Sequence, residues 1–152
     1  MTVVTMRSAP FGVPDHIAPQ LETLRRYWSA LRRAQNPLPF ADDLNVDRLA
    51  QFAPRLFLLD VRERPQRFRF DIVGTEIEKR YQEDLGDRFL DELGERTPLE
   101  YLDSQCCAVM QSKTPTWFAW QSAGCDYERL LLPLWGNGYV SSILGSFAWI
   151  KP

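Results

Sequence analysis

The sequence has little with which to hold a metal. Histidine occurs once, at His16, among Pro10, Pro14 and Pro19; a solvated side chain is the plain reading. The three cysteines, Cys106, Cys107 and Cys125, show neither Cys-x-x-Cys spacing nor an even count. Neither a structural zinc site nor a disulfide framework is expected, and a reducing compartment is favoured. No apolar run approaches the ~20 residues of a membrane span. The opening stretch, MTVVTMRSAPFGVP, lacks the apolar core of a signal peptide. Together these absences predict a cytoplasmic protein. A basic surplus is missing too, since the formal charge is -2, which argues against nucleic acid as the main partner.

Aromatic residues, by contrast, are plentiful. Five Trp and nine Phe among 152 residues are enough for one domain with a packed aromatic core. The most organised stretch is YERLLLPLWGNGYVSSILGSFAWI, residues 127 to 150. Gly136, Asn137 and Gly138 supply the positive φ angles of a tight hairpin turn. On the first arm Leu130, Leu132 and Leu134 share a face with Glu128; on the second, Ile143, Phe147 and Trp149 share one, with Gly145 between them. A lone hairpin is marginal in water, so these arms belong to a larger sheet.

Residues 1–18 are predicted to be a flexible tail and 19–152 the folded domain. A helix is expected over 19–35, with Leu21, Leu24, Trp28 and Leu31 as a narrow apolar stripe. That stripe has two readings: it docks on its own sheet, or it pairs with a second copy. Asn36-Pro37-Leu38-Pro39 ends the helix. A short helix follows over 47–52. RLFLLDV, 55 to 61, reads as a central strand, and RFRFDIV, 67 to 73, alternates with Phe68, Phe70 and Ile72 on one face. Thr75 with Glu78, and Thr97 with Glu100, each read as a capping box opening a helix, the second one running to Ser112. Between them lie short helical turns. A third strand covers 115–121. Strands flank a helical middle, which implies an α+β domain with an antiparallel sheet.

Four pieces of the chain resemble a known family: LRRYWSALR at 24 to 32, PRLFLLDV at 54 to 61, RFRFDIVGT at 67 to 75 and YERLLLPL at 127 to 134. The chain is similar, from about residue 20 onward, to the PAS-like domains common as single-domain proteins in alphaproteobacteria. The resemblance implies a five-stranded antiparallel sheet with short helices on one face and an extra N-terminal helix. It also implies a sensory or interaction module in signal transduction, without catalytic residues. Segment 82–94 departs from the family pattern, which leaves the ligand class open. Haem is disfavoured because His16 lies outside the domain, and flavin photochemistry because no GxNCRFLQ-like stretch exists. No cofactor is required by the sequence.

A cavity between sheet and helices would be walled by Phe68, Phe70, Ile72, Leu130, Leu132 and either Leu144 or Ile143. Tyr81, Leu102 and Cys106 would close it from the helical side, and Ser142, Ser146 and Thr116 would interrupt it. It holds a small apolar ligand or is filled by its own side chains. Gly136-x-Gly138 is a turn and not a phosphate loop. Ser141, Ser142 and Ser146 have no histidine for a triad. Asp60, Asp71 and Glu128 are expected to pair with arginines. The chain therefore reads as a stand-alone module that dimerises through Leu21, Leu24, Trp28 and Leu31 of its N-terminal helix and through the outer sheet face, and passes its output to a signalling protein. The competing readings are a small enzyme using a buried carboxylate such as Asp60, and a ligand-free dimerisation scaffold.

Overall fold

The structure, a computed structural model, describes residues 11–33, 35–121 and 126–150. Helix α1 spans Pro19–Ala30, and paired 3-10 turns spanning Val46–Arg55 lead into the sheet. The strands are β1 (Leu56–Arg62), β2 (Arg67–Val73), β3 (Thr116–Trp120), β4 (Tyr127–Gly136) and β5 (Tyr139–Trp149). They form one antiparallel sheet in the order β2-β1-β5-β4-β3. Helices α2 (Thr75–Tyr81) and α3 (Leu102–Ser112) fill the connection from β2 to β3. The chain thus has the α+β architecture that the residue pattern predicts. Asn137 and Gly138 carry the positive φ angles of the β4–β5 turn.

Helix α1 stops at Ala30, short of residue 35, and its stripe docks on its own sheet. Leu21, Leu24 and Trp28 are buried, each contributing about 2 kcal/mol of apolar burial at most. Trp28 Nε1 donates to the Pro133 carbonyl at 2.8 Å. Residues 11–18, placed in the tail on their prolines, lie against the same sheet. Trp117 N donates to Phe11 O at 2.9 Å, and Ala18 N to Glu128 Oε1 at 2.8 Å. Phe11, Val13 and Ile17 pack on the core.

Both expected capping boxes are absent. Gly74, not Thr75, precedes α2, and Glu78 accepts from Leu85 N instead. A Cβ at Gly74 would overlap the carbonyls of Ala53 and Pro54, so the close approach demands glycine. Helix α3 begins four residues later than a Thr97 cap suggests, after Tyr101 in the left-handed region (φ 56°). The carbonyls of Pro98 and Glu100 turn away from any first helical turn and accept from a side chain of β4.

The open edge of β2 is covered by segment 82–96. Phe70 exchanges hydrogen bonds with Asp87 and Arg88, at 2.7 and 2.9 Å. Arg67 grips Asp91 with both nitrogens at 2.7 and 2.8 Å, and Arg69 meets Asp87 at 2.6 Å. Tyr81 OH donates to Gly94 O, with the Arg96 guanidinium stacked on its ring. A sheet edge so covered cannot template further pairing.

Candidate functional site

Residues paired across antiparallel strands share a face, so the register sorts the sheet into two sides. One side carries Phe57, Leu59 and Val61 of β1, and Phe68 and Phe70 of β2. It continues with Thr116, Phe118 and Trp120 of β3, then Tyr127, Arg129 and Leu131 of β4, and Ile143, Gly145, Phe147 and Trp149 of β5. Arg129 on this side bonds to Gln105 of α3, so this is the inner face. The other side carries Glu128, Leu130, Leu132 and Leu134 with Ser142, Leu144 and Ser146, and α1 lies over β4 and β5 there.

This division corrects the proposed cavity wall. Phe68 and Phe70 are inner and buried, as are Leu102, Cys106 and Tyr81, although Tyr81 spends its hydroxyl on the covering segment. Leu130, Leu132, Leu144 and Ser142 face outward, and of the pair offered for β5, Ile143 is the inner one. Ile72 is also outer. The register shifts between Leu58 and Leu59, so that Ile72 pairs with Leu58 and Phe70 with Leu59. Asp71 is the extra residue of that bulge, which flips the alternation. Leu31, just past α1, is half-buried.

At the centre of the inner face sits a fully buried arginine that the pattern of the sequence did not single out. Arg129 Nε donates to Gln105 Oε1 at 2.8 Å, Nη2 to Glu100 O at 2.7 Å and Nη1 to Pro98 O at 3.1 Å. Gln105 in turn donates to Thr116 Oγ1 at 3.1 Å. Tyr127 OH lies 3.5 Å from Nη1 and donates to the Glu100 carboxylate at 2.6 Å. The guanidinium carbon rests 4.8 Å from the Phe118 ring centre and 5.7 Å from those of Tyr127 and Phe147. Burial pushes the arginine pKa down, opposed by Tyr127, Cys106 and Glu100. The cation persists because each of its three nitrogens donates to an acceptor and rings pack around it. Phe57 fills the neighbouring space, its ring over Gly145 and 5.6 Å from Phe147.

The sequence did hold one signal for this residue. In YERLLLPL, Arg129 falls in the alternate set with Tyr127 and Leu131, so a charge sits mid-strand on a side that also carries large apolar groups.

The other candidates lie elsewhere. Asp60 is on the outer face, 2.9 Å from Arg62 and 3.5 Å from Arg69. Glu128 holds the N-terminal segment, accepting from Ala18 N and from Trp117 Nε1, where an arginine partner was expected. Cys106 is buried and Cys107 half-buried, and burial raises both thiol pKa values, the reverse of what a reactive thiolate needs. Cys125 lies outside the described residues. His16 is exposed. Among the described residues no three His, Cys, Asp or Glu side chains cluster as a metal site, and no helix is long and apolar enough to cross a membrane.

A family model described as PAS domain matches residues 17–148. No curated protein and no solved structure matches the chain. The matched span runs from the start of α1 through the last strand, so that the helix, the covering segment and all five strands fall within it: the chain belongs to the PAS domain family, whose members serve as sensory and interaction modules.

Proposed function

We propose that this PAS domain is a non-catalytic cytoplasmic module that self-associates and engages a signalling protein through the outer face of its sheet. The observation that carries this reading is the filled concavity. Between α3 and the sheet, the volume a small ligand would need is taken by the Arg129 guanidinium, Phe57, Phe118, Tyr127 and Phe147. Recognition then falls to the surface. Helix α1 is committed to β4 and β5, so its stripe is not offered to a partner.

The β1–β2 half of the outer face remains. It presents Leu58 and Ile72, both partly exposed, beside Asp60, Arg62 and Arg69. An apolar pair rimmed by both signs of charge suits a two-fold contact, which must be complementary to itself. Binding there would bias the sheet toward whichever arrangement the partner holds more tightly, the only way binding shifts a conformational equilibrium. Sedimentation velocity of the wild type and of Ile72→Glu tests this. The wild type is expected to sediment as a dimer and the variant as a monomer with an unchanged circular dichroism spectrum. A monomeric wild type, or a dimer indifferent to the substitution, overturns the reading.

A further inference from the structure

A cavity of about 410 Å3 opens on the surface, and none of the residues packed around Arg129 lines it. Three segments wall it: residues 36–38 of the linker after α1, residues 112–114 after α3, and Trp135 near the end of β4. Main-chain bonds hold each wall. Trp135 N donates to Pro39 O at 2.8 Å, which pins the linker to β4, and Lys113 N caps α3 by donating to Val109 O at 2.8 Å. Ser112 Oγ accepts from Thr114 N at 3.2 Å and from Thr114 Oγ1 at 2.8 Å. The cavity is therefore formed before anything enters it, and its volume is in the range of small-molecule sites.

Its lining is chemically one-sided. Pro37, Leu38 and the indole of Trp135 make an apolar wall. Lys113 is the one charged residue of the lining, and among the described residues its ammonium joins no ion pair. Ser112 Oγ and Thr114 Oγ1 share one hydroxyl proton between them, which leaves the pair a second proton to give. No carboxylate lines the space. Lys113 also sits at the C-terminal cap of α3, where a cation offsets the helix dipole. That role explains a lysine there but not the apolar residues that line the same cavity.

We propose that this cavity binds a small organic anion with a flat apolar body, an aryl carboxylate. Its ring lies against Trp135, Leu38 and Pro37, and its carboxylate meets the Lys113 ammonium and the Ser112 hydroxyl. Three naphthalene probes of matched size decide the matter: 1-naphthoate, 1-naphthylmethanol and 1-naphthylmethylammonium, titrated into isotope-labelled protein and followed by NMR. The carboxylate is expected to saturate, with shifts confined to residues 36–38, 112–114 and the Trp135 indole. It should bind about fivefold tighter than the alcohol, the scale of an exposed charge pair, with the ammonium weakest. Lys113→Gln should erase the preference for the carboxylate while leaving the alcohol's affinity in place, and Trp135→Leu should weaken carboxylate and alcohol alike. A lysine serving only the helix end would lower the melting temperature on substitution without changing the order of the probes. Absence of saturation at millimolar probe, equal affinity for carboxylate and ammonium, shifts centred on the inner face, or a preference that survives Lys113→Gln each overturn the proposal. Should Trp135→Leu fail to fold, Lys113→Gln alone still decides it.

Discussion

Replacing Arg129 by methionine removes the guanidinium while keeping an unbranched chain of similar reach. Three acceptors then lose their donor: Gln105 Oε1, Glu100 O and Pro98 O, now bonded at 2.8, 2.7 and 3.1 Å. A buried acceptor left without a partner costs about 1–3 kcal/mol. These are neutral groups, and each carbonyl keeps a second lone pair, so the lower end applies and the sum is about 3 kcal/mol. Opposing it, the variant no longer has to desolvate a cation, a relief of several kcal/mol when charges are swapped for apolar groups in a well-packed site. That relief is small here, because the guanidinium is bonded through all three nitrogens and stacked on rings, which returns most of the hydration it gave up. Arg129→Met is therefore expected to lower stability by about 3 kcal/mol, and the melting temperature by about 6–12 °C for a chain of this length. Calorimetry and urea unfolding read the change, and hydrogen exchange should rise first over residues 98–105. Gln105→Leu provides the control. Because it shares the 2.8 Å bond, the double variant should lose less than the two singles together. A melting temperature within about 2 °C of wild type, or above it, would refute the reasoning. It would mean that the hydration the guanidinium gives up equals all that its bonds return.

Two further outcomes follow from other parts of the fold. A Cβ at Gly145 would overlap the Phe57 ring, so Gly145→Ala should destabilise by about 2 kcal/mol through overpacking, and Phe57→Leu in the same chain should recover part of that loss, as urea midpoints would show. Arginine hydrogen bonds hold the carboxyls of Asp43, Glu83 and Asp91 below their ordinary pKa values. A depressed folded-state pKa means stability that is present above the ordinary value near 4 and is lost as pH falls through and below it. Acid unfolding followed by circular dichroism should therefore be less steep in Asp91→Asn than in wild type, and identical profiles would contradict the pairing with Arg67.

The strands were legible because hydrophobic period is a local property. RFRFDIV is β2 residue for residue, and a helix does follow it, opening one residue earlier than a Thr75 cap would place it. The capping boxes failed for a non-local reason. Thr97 and Glu100 have the right spacing, yet the carbonyls between them are drawn to a guanidinium on a strand about thirty residues away in sequence. Thr75 lost its cap to Gly74 because two distant carbonyls leave no room there for a Cβ. The cavity by Trp135 joins three segments far apart in the chain, and no window of sequence contains it.

Alternation alone determined that Leu130, Leu132 and Leu134 share one side of their strand while Tyr127, Arg129 and Leu131 share the other. A period of two assigns residues to sides but attaches no label to either side. Only the packing of α1 over Glu128 and its neighbours, and of α3 over Arg129, decided which set meets which layer. The leucines that look like a cavity wall ended beneath the N-terminal helix, and a residue that looks like a solvated arginine became the centre of the core. Which segments become strand or helix follows from a period that a short window of sequence carries. The choice of face follows from which distant helix can cover it, and that free energy exists only once the chain is folded.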